Sequence, residues 1–389
     1  MRNAYILKAV RTPGCRYRRG KFANVRPDFL ASEALKGLFK RTGVDPERVE
    51  DVILGCSFPE GEQGMNVARM VAMNASLSYE IPGQTVNRFC ASGLQAISMA
   101  AERIMGGYAD CIVAGGTESM TKIPMGGKNF SASPELVGSW PGAYANMGIT
   151  AEKVAEKYNI SRERQDEFGL QSNRKALQAI EQGKFKEEII PVEVERTKVV
   201  NEKLEKTTEV VDIDDGPRDS TLEKMAKLKT PFKQDGTVTA ANSSQMTDGA
   251  AVSMVVSEEF LKKIGMDPMA RFIGYDVQGV PPELMGIGPS KAIPSVLEKC
   301  GVKLDDVGLV ELNAAFASQA LYCIDQVGLS QDCVNVNGGA IALGHPLGCT
   351  GAKLTSTLLH EMQRENVRYG VVSMCIGGGM GAAGIFEKV

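Results

Sequence analysis

Histidine is scarce in this sequence, and its cysteines show no regular pairing. Only two of the 389 residues are histidine, which leaves few candidates for an imidazole that carries protons. The nine cysteines are an odd number, and none of them stands in a CxxC motif. This pattern argues against a disulfide framework and favours reduced thiols, so we expect a cytoplasmic protein.

A strong charge imbalance and long apolar runs are absent as well. The net charge is −3, which argues against a nucleic-acid-binding protein. No apolar run approaches the roughly 18 residues of a membrane span. A strand-like run at residues 4–10 starts almost at the first residue and leaves no room for a targeting segment, and the last residues, EKV, are no peroxisomal address. A basic run at residues 11–21 predicts a loop that is either solvated or faces a phosphate group.

The chain is longer than one compact core usually supports, and part of it repeats. Residues 32–52 match residues 290–310 at one constant offset, and residues 109–116 resemble residues 370–378. Such an offset is too long for a solenoid and indicates duplication of a whole domain. In each half, apolar strands alternate with helical patterns, which predicts an α/β fold with a mostly parallel sheet covered by helices.

A different kind of sequence separates the halves. Residues 120–246 hold Gly/Pro/Ser-rich loops, two helical patterns and a charged stretch, which indicates an insertion that covers the core. The predicted domains are therefore an N-terminal half, an inserted domain and a C-terminal half, at residues 1–119 with 247–268, residues 120–246, and residues 269–389.

Cys90 lies at a predicted strand–turn–helix junction in residues 84–97. A thiol in the first turn of a helix would have a lowered pKa, because unpaired backbone N–H groups favour negative charge there. The small residues that follow, Ala91, Ser92 and Gly93, would let a substrate approach the sulfur. The alternative interpretation is a buried structural cysteine, which is the commoner role of an isolated thiol.

Three further stretches carry polar groups that suit catalysis. His345 stands in a glycine-rich loop before a helical pattern. His360 stands in a predicted helix, where we expect its side chain to be exposed or to have its hydrogen bonds satisfied within the protein. Cys375 stands at a strand end before Gly377 and two more glycines, which let backbone N–H groups approach a substrate oxygen. Asn313 follows a predicted strand and could direct its amide into the same cleft. A phosphate-binding loop is the weaker alternative for the glycines, because the GxGxxG and GxxxxGK spacings are absent.

Taken together, these motifs resemble the thiolase family over essentially the whole chain. The matching segments are residues 87–93 (NRFCASG), 236–244 (GTVTAANSS), 344–348 (GHPLG) and 375–379 (CIGGG). The resemblance implies duplicated βαβαβαββ halves that form a five-layered αβαβα core with an inserted loop domain. It also implies 3-ketoacyl-coenzyme A thioesters as substrates, coenzyme A as co-substrate, and no permanently bound cofactor or metal.

The resemblance also implies the residue roles. Cys90 would be the acylated nucleophile, His345 its activating base, and Cys375 the acid and base for the acetyl group. Backbone N–H groups of Cys90 and Gly377 would form one oxyanion hole, and His345 with a water held by Asn313 the other. Ser244 would contact the pantetheine part of coenzyme A. Met147 and Phe316 would line the pocket.

Several alternatives stay open at this point. Decarboxylating condensing enzymes share this fold but pair their cysteine with two histidines, and His360 has no matching context. Residues 146–148 read NMG where acetoacetyl-specific enzymes typically read HMG, which favours the degradative type of β-oxidation over an acetoacetyl-CoA-specific acetyltransferase. Ala314 stands where thiolases typically have glutamate, so a catalytically impaired acyl-CoA binder is a further alternative. A homodimer or homotetramer is expected, with a complex with other β-oxidation enzymes as a further expectation.

Overall fold

The computed structural model describes residues 2–200 and 203–389. Met1, Asn201 and Glu202, which the predicted domain ranges include, lie outside the described residues. The strands are β1 Ala4–Arg11, β2 Cys15–Arg16, β3 Asp51–Gly55, β4 Gly83–Val86, β5 Cys111–Ser119, β6 Val192–Val200, β7 Lys203–Val211, β8 Thr247–Ser257, β9 Ala270–Gly279, β10 Val307–Leu312, β11 Tyr369–Ile376 and β12 Met380–Glu387. The helices are α1 Pro27–Thr42, α2 Val67–Asn74, α3 Ser92–Met105, α4 Pro134–Ser139, α5 Met147–Lys157, α6 Arg162–Glu181, α7 Leu222–Ala226, α8 Glu258–Ile264, α9 Pro289–Cys300, α10 Ala317–Val327, α11 Ala340–Leu343 and α12 Leu347–Glu365.

The two halves have the same strand order. In the first half the order is β4-β3-β5-β8-β1, with parallel pairing of β3 to β4 and β5 and antiparallel pairing of β8 to β5 and β1. In the second half β10-β11-β12-β9 repeats this arrangement, and a single parallel bridge at Val334 takes the place of β4. Antiparallel pairing of β1 with β9 joins the halves into one sheet. The expected duplicated α/β fold is therefore confirmed. The expectation of a mostly parallel sheet is wrong, because β8, β9 and β12 run antiparallel to all their neighbours and only three of the nine strand pairings described for this sheet are parallel.

Helices cover both faces of each half and meet in the middle. Helices α1 and α2 pack on the outer face of the first half, and α9 packs on the outer face of the second with α10 against it. Helices α3 and α12 pack against each other and against strands of both halves, so they form the central layer. Every residue of α12 from Leu347 to Met362 is buried, in keeping with its position between the two halves. The layers thus run αβαβα.

The helix ends follow the signals in the sequence. Helix α1 ends at Gly43, which adopts a left-handed conformation with φ of 64°, and α6 begins after Ser161, whose side chain accepts a hydrogen bond from the Arg164 N–H. Residues 120–246 contain α4 to α7 and the β6–β7 hairpin, which pairs only with itself in the described part of the chain. The division into three domains at the stated boundaries stays a prediction.

None of the helices in the described ranges is long and apolar enough to cross a membrane.

Candidate active site

A cavity of about 600 Å³ brings Cys90, His345 and Cys375 together. Cys90 comes from the first half of the chain, and the other two come from the second half. The cavity therefore lies where the duplicated halves meet the inserted segment, which contributes Met147, Phe232 and Ser244 to its wall.

Cys90 lies in a 3₁₀ turn, Phe89–Ala91, between β4 and α3. Phe89 has φ of 43°, a left-handed conformation that is uncommon for a bulky residue and that bends the chain sharply at the thiol. The Ser92 hydroxyl supports this turn, since it accepts from the Arg88 N–H at 2.8 Å and donates to the Phe89 carbonyl at 2.6 Å. The expectation that the thiol lies in the first turn of the helix is wrong by two residues, because α3 begins at Ser92.

The expectation of a lowered pKa for Cys90 is also wrong. Burial raises the pKa of the Cys90 thiol to about 11, although the backbone N–H groups of Gly377 and of Cys90 itself act to lower it. Burial prevails because removing a thiolate from water costs more than two neutral donors return. The same two N–H groups converge on the Cys90 sulfur, so an oxyanion formed on a carbon bonded to that sulfur could accept hydrogen bonds from them.

His345 lies in the turn between α11 and α12 with both ring nitrogens in contact with polar groups. Its Nδ1 is 2.6 Å from Thr350 Oγ1, and its Nε2 is 3.3 Å from Asn313 Nδ2. Burial, and secondarily the Lys353 ammonium, lowers the pKa of His345 to about 3, so the imidazole is neutral at pH 7. An amide NH₂ can only donate, so in this orientation Nε2 holds the lone pair and Nδ1 donates to Thr350.

Cys375 and Gly377 occupy the end of β11 and the turn that follows it. Cys375 is fully buried, and burial, with the Cys90 and Cys323 thiols, raises its pKa well above the usual range. Gly378 and Gly379 have φ of 80° and 88°, values that favour glycine, and a Cβ at Gly379 would lie 2.3 Å from the Val280 carbonyl. These glycines bring the Gly377 N–H to the Cys90 sulfur.

Of the remaining predicted site residues, three line the cavity and one, Asn313, does not. Met147 and Phe316 pack beside Cys375, and Ser244 lines the cavity, with its backbone N–H on the Ala315 carbonyl at 2.8 Å. Asn313 is not among the described residues that line the cavity, and its Oδ1 has no hydrogen-bond partner among them. It lies at the end of β10 and reaches the site through its contact with His345.

His360 lies away from this site. It is buried on α12, Nδ1 contacts the Ser356 carbonyl at 2.8 Å, and it is not one of the described cavity residues. His360 is therefore not a surface residue. Its hydrogen bonding is only half satisfied, since Nδ1 has a partner and Nε2 has none within the described ranges.

Sequence reasoning left the role of two cavity arginines open, missed a third and misjudged a fourth residue, Arg11. Arg16, Arg19 and Arg218 line the cavity and form a group that we call the arginine rim. Arg16 and Arg19 belong to the basic run at residues 11–21, for which a phosphate-facing loop was one of the two interpretations. Arg11 is not solvated, since it is fully buried and pairs with Glu188 at 2.6 Å and Asp214 at 2.8 Å.

A buried thiol beside two backbone N–H donors, a neutral imidazole and a second thiol are the components of covalent acyl transfer. The comparisons with known proteins agree with this class. The family model "Thiolase, N-terminal domain" matches residues 4–259, and "Thiolase, C-terminal domain" matches residues 266–388. The chain belongs to the thiolase family, and it is an acyltransferase.

Relatives match the chain along its length. It is 50% identical over 390 residues to "3-ketoacyl-CoA thiolase" of Bacillus subtilis (strain 168), which covers 100% of both chains. It is 45% identical to "3-ketoacyl-CoA thiolase 1, peroxisomal" of Arabidopsis thaliana, over 98% of this chain and 87% of that protein. The crystal structure of the Bacillus anthracis acetyl-CoA acetyltransferase superposes with a TM-score of 0.90 at 40% identity, covering 100% of this chain and 99% of that one.

Proposed function

We propose that the protein is a 3-ketoacyl-CoA thiolase, which cleaves a 3-ketoacyl-CoA with coenzyme A into acetyl-CoA and an acyl-CoA shortened by two carbons. The observation that carries this proposal is that Cys90, His345 and Cys375 face one cavity. Cleavage of the bond between C2 and C3 needs a nucleophile for the ketone, a base for that nucleophile and an acid for the departing enolate. Two thiols and one imidazole supply these three roles.

In the first half-reaction, Cys90 Sγ bonds to the C3 carbon while its proton passes to His345 Nε2. The C3 oxyanion accepts hydrogen bonds from the N–H groups of Cys90 and Gly377. Because burial keeps both the thiol and the imidazole neutral, the proton moves as the C–S bond forms. The bond between C2 and C3 then breaks, the acyl group stays on Cys90, and the acetyl-CoA enolate takes a proton from the Cys375 thiol.

The second half-reaction returns the groups to their starting states. The Cys375 thiolate takes the proton of the incoming coenzyme A thiol, and the coenzyme A sulfur bonds to the acyl carbon. The Cys90 thiolate leaves and recovers its proton from the His345 imidazolium. Asn313, held against His345 Nε2, would bind the water that shares stabilisation of the enolate oxygen.

The walls of the cavity suit a coenzyme A thioester. The arginine rim offers guanidinium groups for phosphate oxygens, which Arg binds through paired hydrogen bonds. Five apolar side chains of the lining could pack against an acyl chain, namely Met120, Met246, Met285, Phe316 and Leu347. Coenzyme A would act as co-substrate, with no permanently bound cofactor.

The cellular setting follows from the same proposal. A role in fatty acid β-oxidation agrees with the names of the relatives, as thiolysis is the step that releases acetyl-CoA. We retain the cytoplasmic compartment, the homodimer or homotetramer, and association with other β-oxidation enzymes as parts of this proposal.

An acetoacetyl-CoA-specific acetyltransferase is the second candidate, and the name of the Bacillus anthracis relative favours it. The two differ in chain length, so thiolysis should be assayed with 3-ketoacyl-CoA substrates from four carbons upwards. Turnover of six-carbon and longer substrates supports the main proposal, and turnover of acetoacetyl-CoA alone supports the second. Saturable binding without turnover of any substrate would instead identify the impaired binder that Ala314 suggests.

The covalent step has its own test. Mass spectrometry after incubation with acyl-CoA should find an acyl adduct on the Cys90 peptide and none in a Cys90→Ala variant. Cys349, another buried thiol, supplies the matched control, since Cys349→Ala should keep the adduct. An adduct on another cysteine, or no adduct under trapping conditions, contradicts the proposal.

A further inference from the structure

The segment that carries His345, residues 343–348, spans the end of α11 and the start of α12, and only residues 344–346 lie outside both helices. It joins α11 to α12, and Gly344 within it has φ of 83°. A Cβ at Gly344 would lie 2.1 Å from Thr247 Oγ1, so the backbone itself packs closely here. The His345 N–H donates to the Gln245 carbonyl at 3.0 Å. The position of the imidazole therefore depends on what holds this backbone.

Lys353 binds the segment on the side before His345. It is 4% exposed, and its ammonium reaches back from α12 to donate to the carbonyls of Leu343 and Gly344, at 3.3 Å for Gly344. A buried lysine that directs its hydrogen bonds at backbone carbonyls is uncommon, since lysine is almost never fully buried unless paired. Burial lowers the pKa of Lys353, and Arg11 adds to this effect, whereas Asp214 and Glu188 oppose it.

Glu118 binds the segment on the side after His345. Its carboxylate, 1% exposed at the end of β5, accepts from the Gly348 N–H and from the Ser57 N–H, both at 2.8 Å, and from the Gln63 side chain. A Cβ at Gly348 would lie 2.8 Å from Glu118 Oε2 and 2.7 Å from Cys56 Cα. Only glycine allows the first turn of α12 to come this close to the carboxylate.

From these contacts we propose that Glu118 and Lys353 are positioning residues that fix the His345 segment from its two ends. The buried cation binds the carbonyls on one side of His345, and the buried anion binds an N–H on the other, so each charge meets the backbone dipole that suits it. Neither side chain is among the described residues that line the cavity, so both act through His345 and not on substrate. This inference rests on the proposed role of His345 as the base.

Steady-state kinetics test the pair in the full-length protein. Lys353→Met and Glu118→Gln should each lower kcat about 10- to 100-fold, the usual cost of losing a partner that orients a functional group. KM for the acyl-CoA should change less than about twofold, because the cavity wall is intact. Lys353→Arg, which keeps donors for the two carbonyls, should recover most of kcat. An unchanged kcat, or a KM that rises in parallel with the loss of kcat, overturns the proposal.

Matched surface variants control for the loss of a charge. Lys262 and Glu258 form an exposed pair on α8, so Lys262→Met and Glu258→Gln should behave as the unaltered protein does. If Lys353→Met fails to fold, Glu118→Gln and Lys353→Arg still decide the question. The double variant Glu118→Gln/Lys353→Met should lose less than the product of the two single losses, because both residues hold one segment. Fully multiplicative losses contradict a shared role.

A second readout needs no substrate and separates this inference from the proposed function. The chain has only two histidines, so a spectrum of ¹⁵N-histidine-labelled protein shows the signals of two imidazoles. The signals that disappear in a His360→Gln variant belong to His360, and the remaining ones belong to His345. We expect one tautomer of His345 in the unaltered protein and a mixture or broadened signals in Glu118→Gln, with His360 unchanged. The same His345 spectrum in both proteins overturns the positioning role, whatever the turnover assays find. Absence of thiolysis in the unaltered protein would contradict the proposed function and leave this spectrum to decide the inference.

Discussion

Thr350 Oγ1 lies 2.6 Å from Nδ1 of His345 and accepts its proton, which keeps the lone pair on Nε2, where the Asn313 amide donates. Thr350 belongs to the first turn of α12, five residues after His345, so helix and loop fold together around the imidazole. With Nδ1 bonded to the hydroxyl, Nε2 faces Asn313 and the site. A group that fixes a tautomer in this way often matters nearly as much as the base itself.

Removing the Thr350 hydroxyl should therefore impair catalysis. We expect Thr350→Val, which keeps the side-chain shape, to lower kcat about 10- to 100-fold because Nδ1 loses its partner. Thr350→Ser keeps the hydroxyl and should retain most of the activity. The measurement is kcat and KM for thiolysis. Equal activity of the valine and serine variants would show that the tautomer does not depend on this contact.

The raised pKa of Cys90 predicts a steep pH dependence of its alkylation in the absence of substrate. Only the thiolate reacts, and below a pKa of about 11 its fraction grows about tenfold per pH unit. The rate of iodoacetamide labelling of the Cys90 peptide, followed by mass spectrometry, should thus rise throughout pH 7 to 10. Glutathione, with an ordinary thiol pKa, provides the reference and should level off earlier. If the labelling rate of Cys90 instead levels off near pH 7, its pKa is lowered, as its position near the start of a helix alone suggested.

Cys375 should be separable from the acylation step. Replacement by serine should reduce overall turnover by ~10²-fold or more, because a serine hydroxyl is a far weaker acid than a thiol and does not ionise to supply the base of the second half-reaction. Slow acylation of Cys90 should persist, since His345 still accepts its proton. Turnover assays and adduct detection on one preparation distinguish the two steps, with Cys111→Ser as a buried-thiol control. Normal turnover of Cys375→Ser would remove this residue from the mechanism.

Ala314 provides a test by restoration. The residue is fully buried between β10 and α10, next to Asn313, and its methyl group would lie 3.6 Å from a Cβ at Gly339. We expect Ala314→Glu to raise kcat and leave KM for the acyl-CoA nearly unchanged, because a better positioned Asn313 acts mainly in the transition state.

Burial of a new carboxylate costs stability, so thermal unfolding should accompany the kinetics of Ala314→Glu. Ala314→Gln has the same length without the charge and is the matched control. If neither substitution makes the enzyme faster, the carboxylate is dispensable in this chain and Ala314 is ordinary divergence.

Sequence alone determined the duplicated α/β fold and the stretches that meet at the cavity. These features are local: the glycines at 377–379 are needed where backbone N–H groups must approach a sulfur, and a thiol before small residues at 90–93 marks an accessible turn. The helix ends at Gly43 and Ser161 also follow local rules, because capping depends on neighbours within one turn.

Tertiary structure decided the electrostatics of the site. Burial raises the pKa of Cys90 and lowers that of His345, and burial depends on how the two halves and the inserted segment close over the cavity. The same holds for Arg11, whose partner Glu188 is 177 residues away, and for Glu118, which binds Gly348 across 230 residues. No local pattern encodes such contacts, because only the packed chain removes the water that would otherwise solvate these charges.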